Sequence, residues 1–262
     1  MVSEASSIPL IPHIHLLALQ TSASEALKEA LNHYNFTDQI SYTIHNTALS
    51  QLSHDITFDL IVSPANSYGI LDGGFDDAIS RAWSPKNNYI ALTRHVQAEL
   101  YQACLGFLPP GNCHIIRMAD EWKGALRYEK DGWGAKYLAL CPTMRVPSDC
   151  RWDREVVYEC IWALLNAIKK HNDSLPKVSA EAHTSSDSAT GGIGDAASPI
   201  KSILMTPLGT ATGKASDERW AKQCVLAMKH YLEAVGESEK WQKLNWPEAG
   251  RLSLEVKRTH GL

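Results

Sequence analysis

Two apolar periods alternate along this chain, and the switches between them divide it into strands and helices. Ile14 to Leu19 is a short apolar run that reads as a first strand. Ser22 and Glu25 stand three apart ahead of Leu27, Leu31 and Tyr34, a capping-box spacing that predicts a helix through Tyr34. Ile40, Tyr42 and Ile44 alternate with Ser41, Thr43 and His45, as a half-buried strand requires. Phe58 and Leu60 to Val62 suit a strand buried on both faces, and Ser63, Pro64 and Asn66 cannot continue it. Phe75, Ala78, Ile79, Ala82 and Trp83 have helical spacing, and a further helix is predicted from about Val96 to Phe107.

The turn Pro109-Pro110-Gly111 leads into a predicted strand from His114 to Met118, and another strand runs from Tyr137 to Cys141. Asp153 stands where a helix cap belongs. After it Val156, Val157, Cys160, Ile161, Leu164, Leu165 and Ile168 form a long helical core stripe. A last strand, Ile200 to Met205, precedes a helix that starts near Ser216 and carries Trp220 to Leu232. Strands separated by helices predict an α/β fold, a three-layer α/β/α sandwich with a mixed central sheet. One domain over residues 10–235 is expected. Residues 172–199, rich in Ser, Ala, Gly, Thr and Asp, should form a flexible insertion in it. Residues 236–262, with Trp241, Trp246 and the alternating Leu252, Leu254 and Val256, read as an extension packing back on the domain.

Composition narrows the function classes without choosing one. The 262 residues can bury a substantial core, and 44% hydrophobic with 21% charged residues is ordinary for a soluble globular chain. A net charge of −4 and the lack of an aromatic-basic surface run argue against nucleic acid as the partner. The six cysteines include no Cys-x-x-Cys pair, so neither a zinc site nor a disulfide framework is expected. Cys104, Cys160 and Cys224 fit buried helical positions as small hydrophobes. No histidine arrangement at ligand spacing stands out, and no metal and no cofactor is expected. The start, Met-Val-Ser-Glu-Ala-Ser-Ser, has no basic region, and Pro9, Pro12, His13 and His15 interrupt the apolar stretch behind it. A cytoplasmic or nuclear protein that neither enters a membrane nor oligomerises is the expectation.

The candidate chemistry lies in two loops. From Asp59 the buried strand runs into Ser63-Pro64-Ala65-Asn66-Ser67-Tyr68-Gly69-Ile70-Leu71-Asp72-Gly73-Gly74-Phe75-Asp76-Asp77-Ala78-Ile79. Strand, Gly-rich turn and helix is how phosphate sites are built: glycine lets backbone N–H groups approach an anion, and the helix N-terminus adds free donors and a positive dipole end. Far downstream the last strand empties into Thr206-Pro207-Leu208-Gly209-Thr210-Ala211-Thr212-Gly213-Lys214, again ahead of a helix. Both loops leave carboxyl ends of strands, where open α/β sheets bind ligands.

The first loop resembles the ADP-ribose-binding loop of macro domains, in which a strand is followed by Asn-Ala-Ala-Asn, a glycine run and Val-Asp-x-Ala-Ile. Ala65-Asn66 and Gly73-Gly74-Phe75-Asp76-Asp77-Ala78-Ile79 carry the match. Ser63 stands where the family has its first Asn, and Leu71 and Asp72 interrupt a shorter glycine run. The second loop resembles the family's other phosphate-gripping loop, Pro-(Ala/Leu)-x-Thr-Gly-x-Gly, in a looser form where Lys214 could add a charge. The adenine-binding Asp of most macro domains has no clear counterpart, and Asn46 or a neighbour would take its place.

Over most of the chain the resemblance is to fungal-type stand-alone macro proteins that look like ADP-ribose 1''-phosphate phosphatases, with Leu140 to Arg145 and Trp152-Asp153 contributing. It implies binding of ADP-ribose and hydrolysis of ADP-ribose 1''-phosphate, a tRNA-splicing by-product, to ADP-ribose and phosphate. The alternatives are an ADP-ribosyl-protein hydrolase, an O-acyl-ADP-ribose deacylase, or a non-catalytic reader of ADP-ribose. Under this resemblance Asn66 would hold the distal ribose, and Asp76 or Asp72 would orient or deprotonate a water. Asp76 equally suits the N-cap of the following helix. Ala65, Ser67, Gly73, Gly74 and Phe75, with Leu208, Gly209, Thr210, Ala211, Thr212 and Gly213, would line the substrate, their backbone donors meeting developing negative charge. No nucleophilic Cys or Ser is singled out.

Overall fold

The computed structural model describes residues 8–119, 131–176 and 197–262. Its elements run β1 (His13–Leu17), α1 (Thr21–His33), β2 (Tyr42–His45), β3 (Leu60–Ser63), α2 (Gly74–Trp83), α3 (Ala91–Cys104), β4 (His114–Arg117), β5 (Tyr137–Leu140), α4 (Val156–Ser174), β6 (Ser202–Met205), α5 (Asp217–Gly236), α6 (Ser238–Trp241) and α7 (Trp246–Lys257). The strands form one six-stranded sheet in the order β2-β1-β6-β3-β5-β4. Every neighbouring pair is parallel except β4 with β5, so the sheet is mixed.

Successive side chains of a strand point to opposite faces, and each face is covered by helices. Ile14, Leu16, Leu60, Val62, Ala139, Ile203 and Met205 pack with Leu27, Leu31, Cys160, Ile161, Leu164, Trp220 and Met228, the buried stripes of α1, α4 and α5. Leu17, Ile61, Leu138, Leu140 and Leu204 pack with Ile79, Trp83, Leu92, Val96 and Leu100 from α2 and α3. The protein is therefore a three-layer α/β/α sandwich. Strand β3 lies at the middle of it, all four residues buried, which is why Leu60 to Val62 form an unbroken apolar run and not an alternating one. Burying side chains of this size contributes roughly 1.5–3 kcal/mol each.

Several local signals give way to tertiary partners. Ser22 and Glu25 form no capping box: α1 begins after Gln20 without a side-chain cap, and the Ser22 hydroxyl donates to Asp217 Oδ2 at 2.6 Å. Asp153 is not the cap of α4, which starts after Glu155 without one. The helix expected over Val96 to Phe107 begins at Ala91 and ends at Cys104, because Leu105 and Gly106 turn left-handed (φ 54° and 82°). Strand β1 ends at Leu17, and Leu19 is solvent-exposed. Of the stretch expected as an insertion, its start continues α4 through Ser174, and residues 177–196 lie outside the described residues.

The spacing of Leu252, Leu254 and Val256 belongs to a helix, α7. It opens on a capping box between Asn245 and Glu248, and Pro247 sits in its first turn. Its end is tied to α5: Glu255 Oε2 lies 3.2 Å from His230 Nε2, Thr259 Oγ1 accepts from Gln223 Nε2 at 2.9 Å, and Arg219 Nη2 donates to the carbonyl of His260 at 3.0 Å. Among the described residues no helix is long and apolar enough to cross a membrane.

Candidate functional site

Pro64 breaks β3, but the chain keeps its register with the neighbouring loop. Thr143 N–H donates to Ala65 O at 3.2 Å, Cys141 N–H to Ser63 O at 2.9 Å, and Asn66 forms an isolated parallel bridge with Met144. The loop after β3 and the loop after β5 therefore leave the sheet as one unit. From Asn66 the first loop curls on itself. The Asn66 amide accepts from the N–H groups of Tyr68 (3.1 Å) and Ile70 (3.3 Å) and donates to Ile70 O (2.7 Å). This side chain, buried at the cleft, is the brace of its own loop.

Helix α2 opens directly behind. Its N-cap is Gly73, and Gly74 takes a left-handed φ of +57°, a conformation that residues with a Cβ rarely adopt. Asp76 is thus the third residue of the helix and not its cap. Its side chain, buried, accepts the Ser63 hydroxyl at 2.7 Å, which links the last residue of β3 to the first turn of α2. Burial raises the Asp76 carboxyl to about 7; the Ser63 hydrogen bond opposes the shift and the Asp72 charge adds to it. A carboxyl that titrates near neutrality can both take and give a proton at physiological pH.

The second loop leaves β6 and is folded back tightly. Thr210 Oγ1 donates to Pro207 O at 3.1 Å, and Ala215 N–H donates to Gly209 O at 3.0 Å. Gly213 is packed so closely that a Cβ there would lie 2.4 Å from Gly209 O and 2.5 Å from Cys150 Sγ. Beyond it Ser216 caps α5 by accepting from Arg219 N–H at 3.0 Å.

The two loops face each other across a cleft of about 470 Å³, a volume ordinary for a small-molecule site. Carboxyl ends of five adjacent parallel strands build it, β2 through Thr47 to Leu49. Leu17 ends β1 and Leu19 follows it, Thr206 and Pro207 follow β6, Pro64 to Asn66 follow β3, and Thr143 and Met144 follow β5. Of the residues expected from the sequence, Ala65, Asn66, Asp72, Gly73, Gly74, Phe75, Asp76, Gly209, Thr210, Ala211, Thr212 and Gly213 all line it. Ser67 and Leu208 do not: both are fully buried beneath the loops. Asn46 does not line it either, since its amide donates to Ala18 O and Ser24 Oγ, fastening the end of β2 to α1. Its neighbours Thr47, Ala48 and Leu49 form that wall instead. Lys214 also stands outside the lining, its ammonium 3.9 Å from Asp149 Oδ2.

Leu17 and Pro147 were not marked by the sequence, Thr143 and Met144 entered only with the family resemblance, and Thr47 and Ala48 only as neighbours of Asn46. The usable signal was position: each lies at or just past the carboxyl end of β1, β2 or β5, which run parallel with β3 and β6 in one sheet. Part of the lining is apolar, from Leu17, Leu19, Ala48 and Leu49, and part is backbone-rich, from the glycines of both loops and the N-terminus of α2. Unpaired backbone donors beside a helix N-terminus suit an anionic group. Among the described residues no group of three His, Cys, Asp or Glu side chains is placed to hold a metal ion. The chain matches no protein-family model and no curated protein.

Proposed function

We propose that this protein is a macro-domain-type protein that binds ADP-ribose and hydrolyses ADP-ribose 1''-phosphate to ADP-ribose and phosphate, recycling a by-product of tRNA splicing. The observation that carries this reading is the meeting of two glycine-rich loops, from the carboxyl ends of the neighbouring strands β3 and β6, across one cleft beside the N-terminus of α2. A diphosphate in that place is met by backbone N–H groups that have no carbonyl one turn back to bond, and by the positive end of a helix dipole. The apolar wall of Leu17, Ala48 and Leu49 suits the adenine ring.

In this reading Asp76 is the general base. Held by Ser63 and titrating near neutrality, it takes a proton from the water that attacks phosphorus. The bond from phosphorus to the ribose 1''-oxygen breaks, backbone donors of Gly73, Gly74 and Phe75 meet the developing charge, and the leaving oxygen takes up a proton to become the ribose hydroxyl, Asp76 giving up the one it took. Asn66 contributes by holding the loop rather than by gripping the ribose with both ends of its amide.

That engagement of Asn66 favours a second reading, a reader of ADP-ribose that does not turn it over. Phosphate release from ADP-ribose 1''-phosphate, with calorimetric binding of ADP-ribose alongside, separates the two. Release by the wild type that is lost in Asp76→Asn, with binding retained, supports the enzyme. Binding without release in the wild type leaves the reader, and neither binding nor release overturns both.

A further inference from the structure

Three cysteines gather on the face of the sheet away from α2 and α3, at the far side of the loop that follows β5. The antiparallel register of β4 and β5 pairs Ile115 with Ala139 and His114 with Leu140, so the next positions along the ladder are Cys113 and Cys141. Opposed residues in such a pair project from the same face. Cys113 and Cys141 accordingly both pack with the α4 side of the core, together with Cys160 of that helix.

The ladder also settles which kind of pair they make. Met118 N–H donates to Lys136 O at 2.8 Å, which makes Met118 and Lys136 a hydrogen-bonded pair. Counting back by alternate positions, His114 with Leu140 is hydrogen-bonded and Cys113 with Cys141 is not. In non-hydrogen-bonded pairs the Cα atoms lie about 4.5 Å apart, inside the span of about 4.4–6.8 Å that a disulfide bridges without backbone movement. The Cys141 thiol is pushed well up, first by Cys113 beside it and then by burial.

We propose that Cys113 and Cys141 are a redox pair that closes to a cross-strand disulfide on reaction with a hydroperoxide. Cys113 is the partly exposed member and lines the groove between β4 and α4, while Cys141 is fully buried behind it. The Cys113 sulfur attacks the peroxide O–O bond, giving a sulfenic acid and releasing the alcohol or water. The Cys141 sulfur then attacks the Cys113 sulfur; the S–S bond forms, the S–O bond breaks, and the hydroxyl leaves as water with the Cys141 proton. Two thiols are oxidised and one hydroperoxide is reduced.

Cys160 is a less suitable partner. Its thiol donates to Pro142 O at 3.3 Å, and it reaches the cluster from a helix and not from the ladder. The bond would clamp the base of the Pro142-Thr143-Met144 segment, whose Pro142 O also accepts Gly111 N–H at 3.0 Å and whose next two residues line the candidate cleft. The pair is independent of what that cleft binds.

The test uses the full chain, reduced and then exposed to a few equivalents of hydrogen peroxide. Remaining thiols are blocked with N-ethylmaleimide, and tryptic peptides are mapped by mass spectrometry without reduction. The expected result is a peptide pair joined through Cys113 and Cys141, loss of two of the six free thiols, and full recovery with dithiothreitol. Cys113→Ser abolishes the joined pair and Cys160→Ala retains it. A Cys141 to Cys160 bond would overturn the proposal. So would accumulation of Cys113 as sulfinic acid beside a blockable Cys141, or six thiols surviving the peroxide.

Discussion

The Ser63 hydroxyl donates to Asp76 Oδ1 at 2.7 Å, across 13 positions of sequence, and fastens the carboxyl end of the central strand to the first turn of the helix behind the glycine loop. Both side chains are buried, so the carboxyl has one close polar partner and little water. Its affinity for a proton follows from that setting.

A pH effect on stability follows. The Asp76 carboxyl binds its proton near pH 7 in the fold and near its ordinary value of 3.8 when unfolded. Between these values the native state holds more protons, so stability falls as pH rises through the window. The loss is of the order of 4 kcal/mol when complete, at about 1.4 kcal/mol per pH unit. Denaturant unfolding of the wild type and Asp76→Asn at pH 4 and pH 8 measures it: the variant should lose much less stability than the wild type on going to pH 8. Equal losses would remove the basis for a near-neutral Asp76.

His15 acts in the opposite sense. Burial first, then the charges of His13 and His45, lower its pKa to about 4, and its Nδ1 lies 3.0 Å from His45 Nε2. Between that value and the ordinary 6.5 the unfolded state binds the additional proton, so this group's contribution is present above 6.5 and is lost as pH falls towards 4. His15→Gln should unfold at higher urea than the wild type near pH 5, relative to the difference between the two proteins at pH 8. The same difference at both pH values would exclude His15 as the group responsible.

Asn66→Ala should damage the loop before it damages any chemistry. It removes the partner of two N–H groups and one carbonyl, and leaving such groups unmet costs about 1–3 kcal/mol. Hydrogen exchange at Tyr68 and Ile70 should accelerate, and under the proposed function ADP-ribose binding should weaken with it. Unchanged exchange together with lost turnover would instead make Asn66 a direct contact to substrate.

Gly213→Ala should disrupt the second loop with no charge or polarity altered. The added carbon would meet a backbone oxygen and the Cys150 sulfur at distances real Cβ atoms do not show, so the loop must move. An unfolding midpoint lowered by about 1–3 kcal/mol of stability is expected, the usual cost of overpacking. A Gly73→Ala control, where a Cβ meets nothing within 4 Å, should be milder in stability.

Much of this architecture was legible because its signals act over a few residues. The apolar run Leu60 to Val62, the break at Pro64 and the helical stripe from Val156 to Ile168 each report local geometry, and strand, helix and loop follow from them. By itself, then, the sequence determined the alternation of strands and helices, the α/β/α class and the two glycine loops.

What only the tertiary structure decided depends on partners distant along the chain. Ser22 had a local cap to form with Glu25 and instead bonds Asp217, far downstream in sequence. Asp76 had the spacing of a helix cap and instead became a buried carboxyl, because Ser63 of the preceding strand stands beneath it. Asn46 leaves the cleft wall to Thr47 and Ala48, because its amide finds partners in Ala18 O and Ser24 Oγ. Cys113 and Cys141 became neighbours through the antiparallel pairing of β4 with β5. Burial and strand order set the proton affinity and reach of a side chain, and neither is encoded in the residues next to it.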